Sequence, residues 1–206
     1  MIKKFDFIEM NFTGKIKETN QIFDTTVSED AKKIGLENPK PAKICVGKEM
    51  IVKGFDEALE GKEPGKSYSV EIEPKKAFGL RKPNLVKTIP MAVFLEKNIN
   101  PYPGLMLNID NVLVKISAVS GGRVITDFNS PLAGKTIIYD FKIIRKIESK
   151  EEKIKVLAEY FLDEKSEVVM EGNNVVVSFK NKNSNKDEFQ KIAKELDIEV
   201  ILKEKK

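Results

Sequence analysis

The chain of 206 residues has no histidine, no tryptophan and a single cysteine, Cys45. Without histidine it cannot assemble a Ser-His-Asp or Cys-His nucleophile, a His-ligated zinc site, or the commonest general base. Chemistry must come from carboxylates, lysines or tyrosines, or from an environment that needs no proton transfer, and neither a metal nor a cofactor is expected. One cysteine excludes an intramolecular disulfide and points to a reducing cytoplasm. Cys45 alternates with Ile44 and Val46 and reads as a packing residue, since no imidazole exists to activate it. No apolar run approaches the roughly 20 residues that cross a bilayer. The opening MIKKFDFIEMNFTG runs straight into alternating apolar and polar residues, so no secretory signal is expected. An excess of one charge is missing too: 36 basic and 32 acidic residues are interleaved for a net +4. Nucleic-acid binders gather basic residues on one face, whereas the nearest cluster here is the tail Lys203-Glu204-Lys205-Lys206, a solvated end. Neither nucleic acid nor membrane is expected as a partner.

What is present is 41% hydrophobic and 33% charged residues in a pattern of short strands. Phe5 to Thr13 alternates as a strand, Phe23 to Val27 is a second, and Ala42 to Gly47 a third. Ser28 to Lys40 is polar, with Pro39 and Pro41 nearby, and reads as a loop. Gly54 to Gly61 predicts a short helix with Phe55, Ala58 and Leu59 on one face and Asp56, Glu57 and Glu60 turned outward. Ser67 to Glu73 alternates with Tyr68, Val70 and Ile72 inward, and Ile137 to Ile143 alternates again. These pieces describe an α+β fold, an antiparallel β-sheet wrapped on one short helix.

Between Pro83 and Ser130 the pattern changes. Met91 to Leu95 predicts a helical turn after Pro90. Leu105 to Ile109 and Val112 to Ile116 alternate, and Gly121-Gly122 marks a hairpin before Val124 to Phe128. This reads as a small inserted β-rich domain. Past Ile147, Ser149 to Glu152 has capping-box spacing ahead of a helix through Phe161. A hairpin follows around Glu171 to Asn174, then a helix carrying Phe189, Ile192, Ala193 and Leu196, and a last strand over Ile198 to Leu202. The order α-β-β-α-β predicts a C-terminal module whose own core is thin, so it should lean on the rest of the chain or on a second copy. The expected division is residues 1–84 and 129–148 for the main domain, 85–128 for the insert and 149–206 for the C-terminal module.

Four blocks stand together in the main domain: Phe12-Thr13-Gly14; Phe23-Asp24; Val46 to Phe55; and Pro74-Lys75-Lys76-Ala77-Phe78-Gly79. With the closing strand through Tyr139, their order and spacing resemble the FKBP-type peptidyl-prolyl cis/trans isomerases from about Phe5 to Ile147. The insert, rejoining at Pro131 to Gly134, resembles the insert-in-flap domain of the SlyD-like branch, and the C-terminal module is similar to that of the long archaeal type. The resemblance implies an isomerase assisting protein folding, acting on unfolded or partly folded proline-containing polypeptides. It implies Asp24, Phe78 and Tyr139 as catalytic residues, and Phe12, Phe23, Ala42, Ile51, Val52 and Phe55 as substrate-binding residues. The Val52 N–H matches a donor to the bound peptide, and Phe55 stands where the family usually has tryptophan. Phe78 replaces a more usual tyrosine, and Ala42 stands where an aromatic is common.

By the same resemblance the insert captures unfolded chain, with Ile89, Met91, Val93, Phe94, Leu105 and Met106 as the capturing surface; the competing reading makes them the insert's own core. The rival to an enzyme is a non-catalytic chaperone or adaptor that uses the main-domain pocket only for binding. The C-terminal module is expected to mediate homodimerisation or further substrate contact.

Overall fold

The computed structural model describes every residue except 110–111, 164, 172–173, 182–183 and 205–206. The turn expected around Glu171 to Asn174 and the end of the basic tail therefore lie partly outside the described residues. In chain order the elements are β1 (Phe7–Ile16), β2 (Ile22–Thr25), α1 (Ser28–Lys33), β3 (Ala42–Cys45), α2 (Lys53–Leu59) and β4 (Ser67–Ile72). Then come β5 (Val86–Pro90), α3 (Met91–Leu95), β6 (Met106–Ile109), β7 (Val112–Ser120), β8 (Arg123–Asp127) and β9 (Ile137–Ile147). The chain continues with α4 (Lys150–Phe161), β10 (Glu167–Glu171), β11 (Asn174–Phe179), α5 (Lys186–Glu195) and β12 (Val200–Glu204). Two compact units result: Met1–Ile72 with Ile137–Lys206, and Glu73–Thr136.

In the first unit the long strands β1 and β9 form the centre of a five-stranded antiparallel sheet in the order β2-β1-β9-β4, with β3 also on β1. Strand β1 serves two partners along one edge: Phe7 to Met10 pair with β3, and Thr13 to Lys15 with β2. Helix α2 lies on the face where Phe12, Tyr139 and Phe141 converge, and buries Phe55 and Leu59. Asp56, expected to point outward, is 3% exposed. It sits in the first turn of α2 and folds back to accept the Gly47 and Glu49 N–H groups, both at 2.9 Å. Loop donors with no strand to pair with have recruited a carboxylate, as buried backbone polar groups require.

The stretch after β2 is another departure, because its first six residues form α1. That helix has no apolar periodicity, and its only buried residue is Ala31. Its stability comes instead from Asp30, whose carboxylate accepts from the Thr13 hydroxyl at 2.8 Å.

The C-terminal residues form a second sheet, β10-β11-β12, in which β12 runs parallel to β11. Helices α4 and α5 cover one side through Ile154, Leu157, Phe189 and Ile192. The Ser149 hydroxyl caps α4 by accepting from the Glu152 N–H. This module belongs to the same compact unit as the main sheet. Glu152 accepts from Arg145 of β9 at 2.6 and 3.0 Å and from Lys43 of β3 at 2.9 Å, and Glu195 of α5 pairs with Lys48.

The second unit is built on a four-stranded antiparallel sheet, β5-β8-β7-β6. Its core is Phe94, Ile116 and Val124, with Ile89, Met91, Leu105 and Leu107 packed against it. The Gly121-Gly122 turn has φ of +54° and +71°, a left-handed pair that glycine adopts without steric cost and that matches the strand twist. Leu85 and Phe128 close the base of the sheet, the Phe128 N–H donating to the Leu85 carbonyl at 3.0 Å.

Candidate active site

Alternation along β1 and β9 places Phe12, Tyr139 and Phe141 on one face of the sheet. Phe55 of α2 meets all three: it stacks on Tyr139 with centroids 4.2 Å apart and planes 10° from parallel, and contacts Phe12 at 5.7 Å and Phe141 at 5.1 Å edge-on. Phe12 also meets Tyr139 edge-on at 5.7 Å, and Phe23 of β2 completes the group at 5.9 Å from Tyr139. Such offset and edge contacts are the favoured aromatic geometries. Phe23 reaches Tyr139 only because Gly14 separates them. A Cβ there would lie 2.7 Å from the Phe23 Cζ and 2.8 Å from the Tyr139 Cε1.

Asp24 follows Phe23 at the rim and keeps its side chain open to solvent on one side. Water lost on the other side raises its pKa, against a weaker lowering by the Thr25 backbone N–H. Burial pushes the Tyr139 hydroxyl upward as well, and the nearby Asp24 charge adds to that. Tyr139 therefore remains a protonated donor, and Asp24 supplies the pocket's negative end.

The loop from Gly47 to Val52 leads into α2. Asp56 holds it from within, and Glu49 is kept at φ +51°. Ile51 and Val52 are half-buried. The Val52 carbonyl starts α2, accepting from the Phe55 and Asp56 N–H groups at 2.8 and 2.9 Å. Among the described residues nothing accepts the Val52 N–H. Ala42, half-buried, pairs with Met10 on β1 and presents only a methyl group.

Of the nine residues expected at the pocket, Phe12, Phe23, Asp24, Ala42, Ile51, Val52, Phe55 and Tyr139 all belong to the first unit. Five of them — Phe12, Phe23, Asp24, Phe55 and Tyr139 — form the aromatic group and its rim. Phe78 belongs to the second unit, half-buried after the 3-10 turn Pro74–Lys76. Sequence reasoning missed Phe141 and Asp56. Phe141 could have been found, because it stands two residues after Tyr139 on the same strand face. In the second unit Phe94 is 4% exposed and Ile89, Met91 and Leu105 pack against it, while Val93 and Met106 are exposed. Leu95, Tyr102, Leu113 and Ile125 add to the exposed apolar surface. Among the described residues no three acidic or cysteine side chains converge where a metal could sit, and no helix is long and apolar enough to cross a membrane.

Comparison with known proteins places these features. Residues 1–95 match the family model of the FKBP-type peptidyl-prolyl cis-trans isomerases, and residues 87–132 match that of the FKBP26 IF domain. The chain is 31% identical over 147 residues to the short-type peptidyl-prolyl cis-trans isomerase of Methanocaldococcus jannaschii, covering 69% of this chain and 92% of that protein. It is 25% identical to the FKBP-type 16 kDa isomerase of Escherichia coli K12, over 66% of this chain and 92% of that one. It is also 29% identical to SlyD of Haemophilus influenzae, over 56% of this chain and 62% of that one. The interlocked rings of β1, β2, α2 and β9, together with these matches, lead to one conclusion: the chain belongs to the FKBP-type peptidyl-prolyl cis-trans isomerase family.

Proposed function

We propose that the aromatic group at Phe12, Phe23, Phe55 and Tyr139 receives the prolyl ring of a polypeptide and speeds rotation about the preceding amide. That rotation is slow because it breaks amide resonance. The twisted amide is less dipolar than the planar one, so a pocket that strips water from the prolyl carbonyl favours the twisted state. The unused Val52 N–H carries this reading, as a donor beside buried rings and ready for a peptide carbonyl. No proton need move, which agrees with a chain that has no histidine. A 10⁴-fold acceleration requires about 5.4 kcal/mol of differential stabilisation. Desolvation, ring packing and one hydrogen bond are together of that order. Asp24 serves as the polar member, its carboxylate acting on the twisting carbonyl group or orienting Tyr139. Phe78, on the second unit, is the remaining residue this reading assigns to catalysis, and loss of tetrapeptide acceleration in Phe78→Ala tests it.

The exposed apolar side chains of the second unit, Val93 and Met106 among them, serve as a chaperone surface for unfolded clients. On the C-terminal sheet, Val169, Val176 and Ile201 are in register across three strands, with Val169 54% and Ile201 44% exposed on either side of a buried Val176. That row is the contact by which the C-terminal module pairs with a second copy, and sedimentation of Val169→Lys as a monomer against a wild-type dimer tests it. A buried lone thiol at Cys45, its pKa pushed up to about 12 by burial, suits a cytoplasmic protein.

The test of the activity is the cis-to-trans rate of a proline tetrapeptide at low temperature. Acceleration lost in Asp24→Ala supports the assignment. No acceleration, with unfolded protein still held in solution, makes the chain a binder instead.

A further inference from the structure

One cleft in the first unit plays no part in this mechanism. Among the described residues strand β3 pairs only with β1, which leaves its other edge without a strand partner. The Cys45 N–H points off that edge, because its acceptor is the Met50 sulfur at 3.2 Å and not a β1 carbonyl. Residues two apart in an antiparallel ladder direct their backbone groups the same way, so the Lys43 N–H and C=O also point off the edge. Among the described residues nothing pairs with them.

Across the gap lies α4, and between them is a cleft of about 690 Å³. Its floor is Met50 and Val156, 8% and 3% exposed. Tyr160 stands at its side, 51% exposed, its ring held edge-on by Phe161 at 4.8 Å. Of the rim charges, Glu9 and Glu152 are taken by Arg145 and Lys43. The lining itself balances Lys40, Lys43 and Lys155 against Glu9, Glu152 and Glu159, and Arg145, paired with Glu9 and Glu152 from outside it, tips the surroundings to a single positive charge.

We propose that this cleft is an extended subsite for the client polypeptide, holding the stretch that flanks the prolyl bond. The segment adds to the β3 edge at Lys43 and lays an apolar or aromatic side chain against Met50 and Tyr160. The inference rests on the isomerase reading, and continuity between the two sites supports it. Met50 immediately precedes Ile51 and Val52, which the isomerase reading assigns to substrate binding, so one clamped loop serves both sites. Lys43 lines the cleft, and side chains alternate along a strand, so Ala42 faces the other way, beside Met10 on the strand face that also carries Phe12. The occupant is an extended chain, because what the edge offers is one unpaired N–H and C=O beside apolar side chains, the requirements of strand addition.

The test compares the full chain on a proline tetrapeptide and on two roughly twelve-residue peptides with the same core. One is extended on the amino side and the other on the carboxyl side, each with alternating aromatic and acidic residues. One long peptide should show a KM about tenfold below that of the tetrapeptide. Tyr160→Ala should abolish that gain without changing tetrapeptide kcat/KM, and Tyr160→Phe should keep it. Lys155→Glu, which removes no packing, should raise KM for the acidic long peptide alone. Equal KM values for long and short peptides on the wild type, or a gain that survives both Tyr160→Ala and Lys155→Glu, would overturn the subsite and leave the isomerase standing. If the tetrapeptide itself is not accelerated, the isomerase reading falls and this one with it.

Discussion

Gly14 is where sequence, packing and function meet most closely. The rings of Phe23 and Tyr139 close over its Cα, and Tyr139 cannot retreat because Phe55 is stacked on its other face. Gly14→Ala should therefore displace the Phe23 ring and cost about 1–3 kcal/mol in overpacking. Tetrapeptide kcat/KM should fall tenfold or more, roughly the loss of one well-formed contact in the transition state. Chemical denaturation alongside the peptide assay separates the two effects. Asp24, on the neighbouring strand, opposes stability and function within one residue. Its pKa is raised on folding, so between the ordinary carboxylate value and the folded one the native state binds more protons than the unfolded chain. Stability then falls as pH rises through that window, and at neutral pH the ionised Asp24 is a net cost. Asp24→Asn should raise the melting temperature by about 2 °C, with solvent on the open side keeping the effect small. It should lower turnover about tenfold if the charge contributes as proposed. A melting temperature that drops in Asp24→Asn would show that the carboxylate holds the pocket together instead.

At the scale of elements, the attachment of α4 to the main sheet depends on Glu152. The Arg145 guanidinium, and then the Lys43 ammonium, hold its carboxyl down to about 2. A depressed folded value contributes stability above the ordinary glutamate range, near 4.3, and that contribution is lost as pH falls toward 2. Protection factors along α4, which remove the intrinsic pH dependence of amide exchange, should thus fall between about pH 5 and pH 3 in the wild type. In Glu152→Gln they should be lower at neutral pH, by about 1 kcal/mol of protection, and should change little on acidification. A wild-type helix insensitive to that pH range would mean the ion pairs add nothing to docking. How legible each element was follows from what stabilises it. Strands β1, β4 and β9 and helices α4 and α5 carry their period in their apolar residues, and the capping box at Ser149 marks the start of α4. Helix α1 was missed because Asp30 reaching to Thr13 supports it, and a side-chain contact between residues 17 apart leaves no period. Asp56 was misjudged for a related reason: helical periodicity assigns a face, but the unmet N–H groups of Gly47 and Glu49 drew the carboxylate inward. Most of the pocket was legible as a set of types in order, and its stacking geometry was not.

At the scale of the whole molecule, the insert-in-flap unit divides labour with the pocket in a way that excision can test. The exposed apolar side chains at Val93, Leu95, Tyr102, Met106 and Leu113 lie on the second unit. A client tethered there, as proposed, would present its prolyl bonds at a raised effective concentration without altering the chemistry, and such tethering gains factors of about 10² or more. The four-stranded sheet of that unit can be removed cleanly, since Leu85 and Phe128 are already joined by a 3.0 Å hydrogen bond at its base. Replacing Val86 to Asp127 with a short glycine linker leaves Phe78 and the 3-10 turn before it in place. Tetrapeptide turnover should then stay within about twofold of the wild type, because a four-residue substrate in the pocket leaves no chain for a second grip. Catalysis of a proline-limited protein refolding reaction should fall by about a hundredfold over the same enzyme concentrations. Equal losses in both assays would mean that the unit shapes the pocket rather than feeding it. A milder variant separates those outcomes further: Leu95→Ser with Tyr102→Ser removes exposed apolar surface and leaves the Phe94, Ile116 and Val124 core intact. It should weaken refolding catalysis while the insert keeps its fold and the tetrapeptide rate is unchanged, an outcome that a purely structural role for the insert cannot produce.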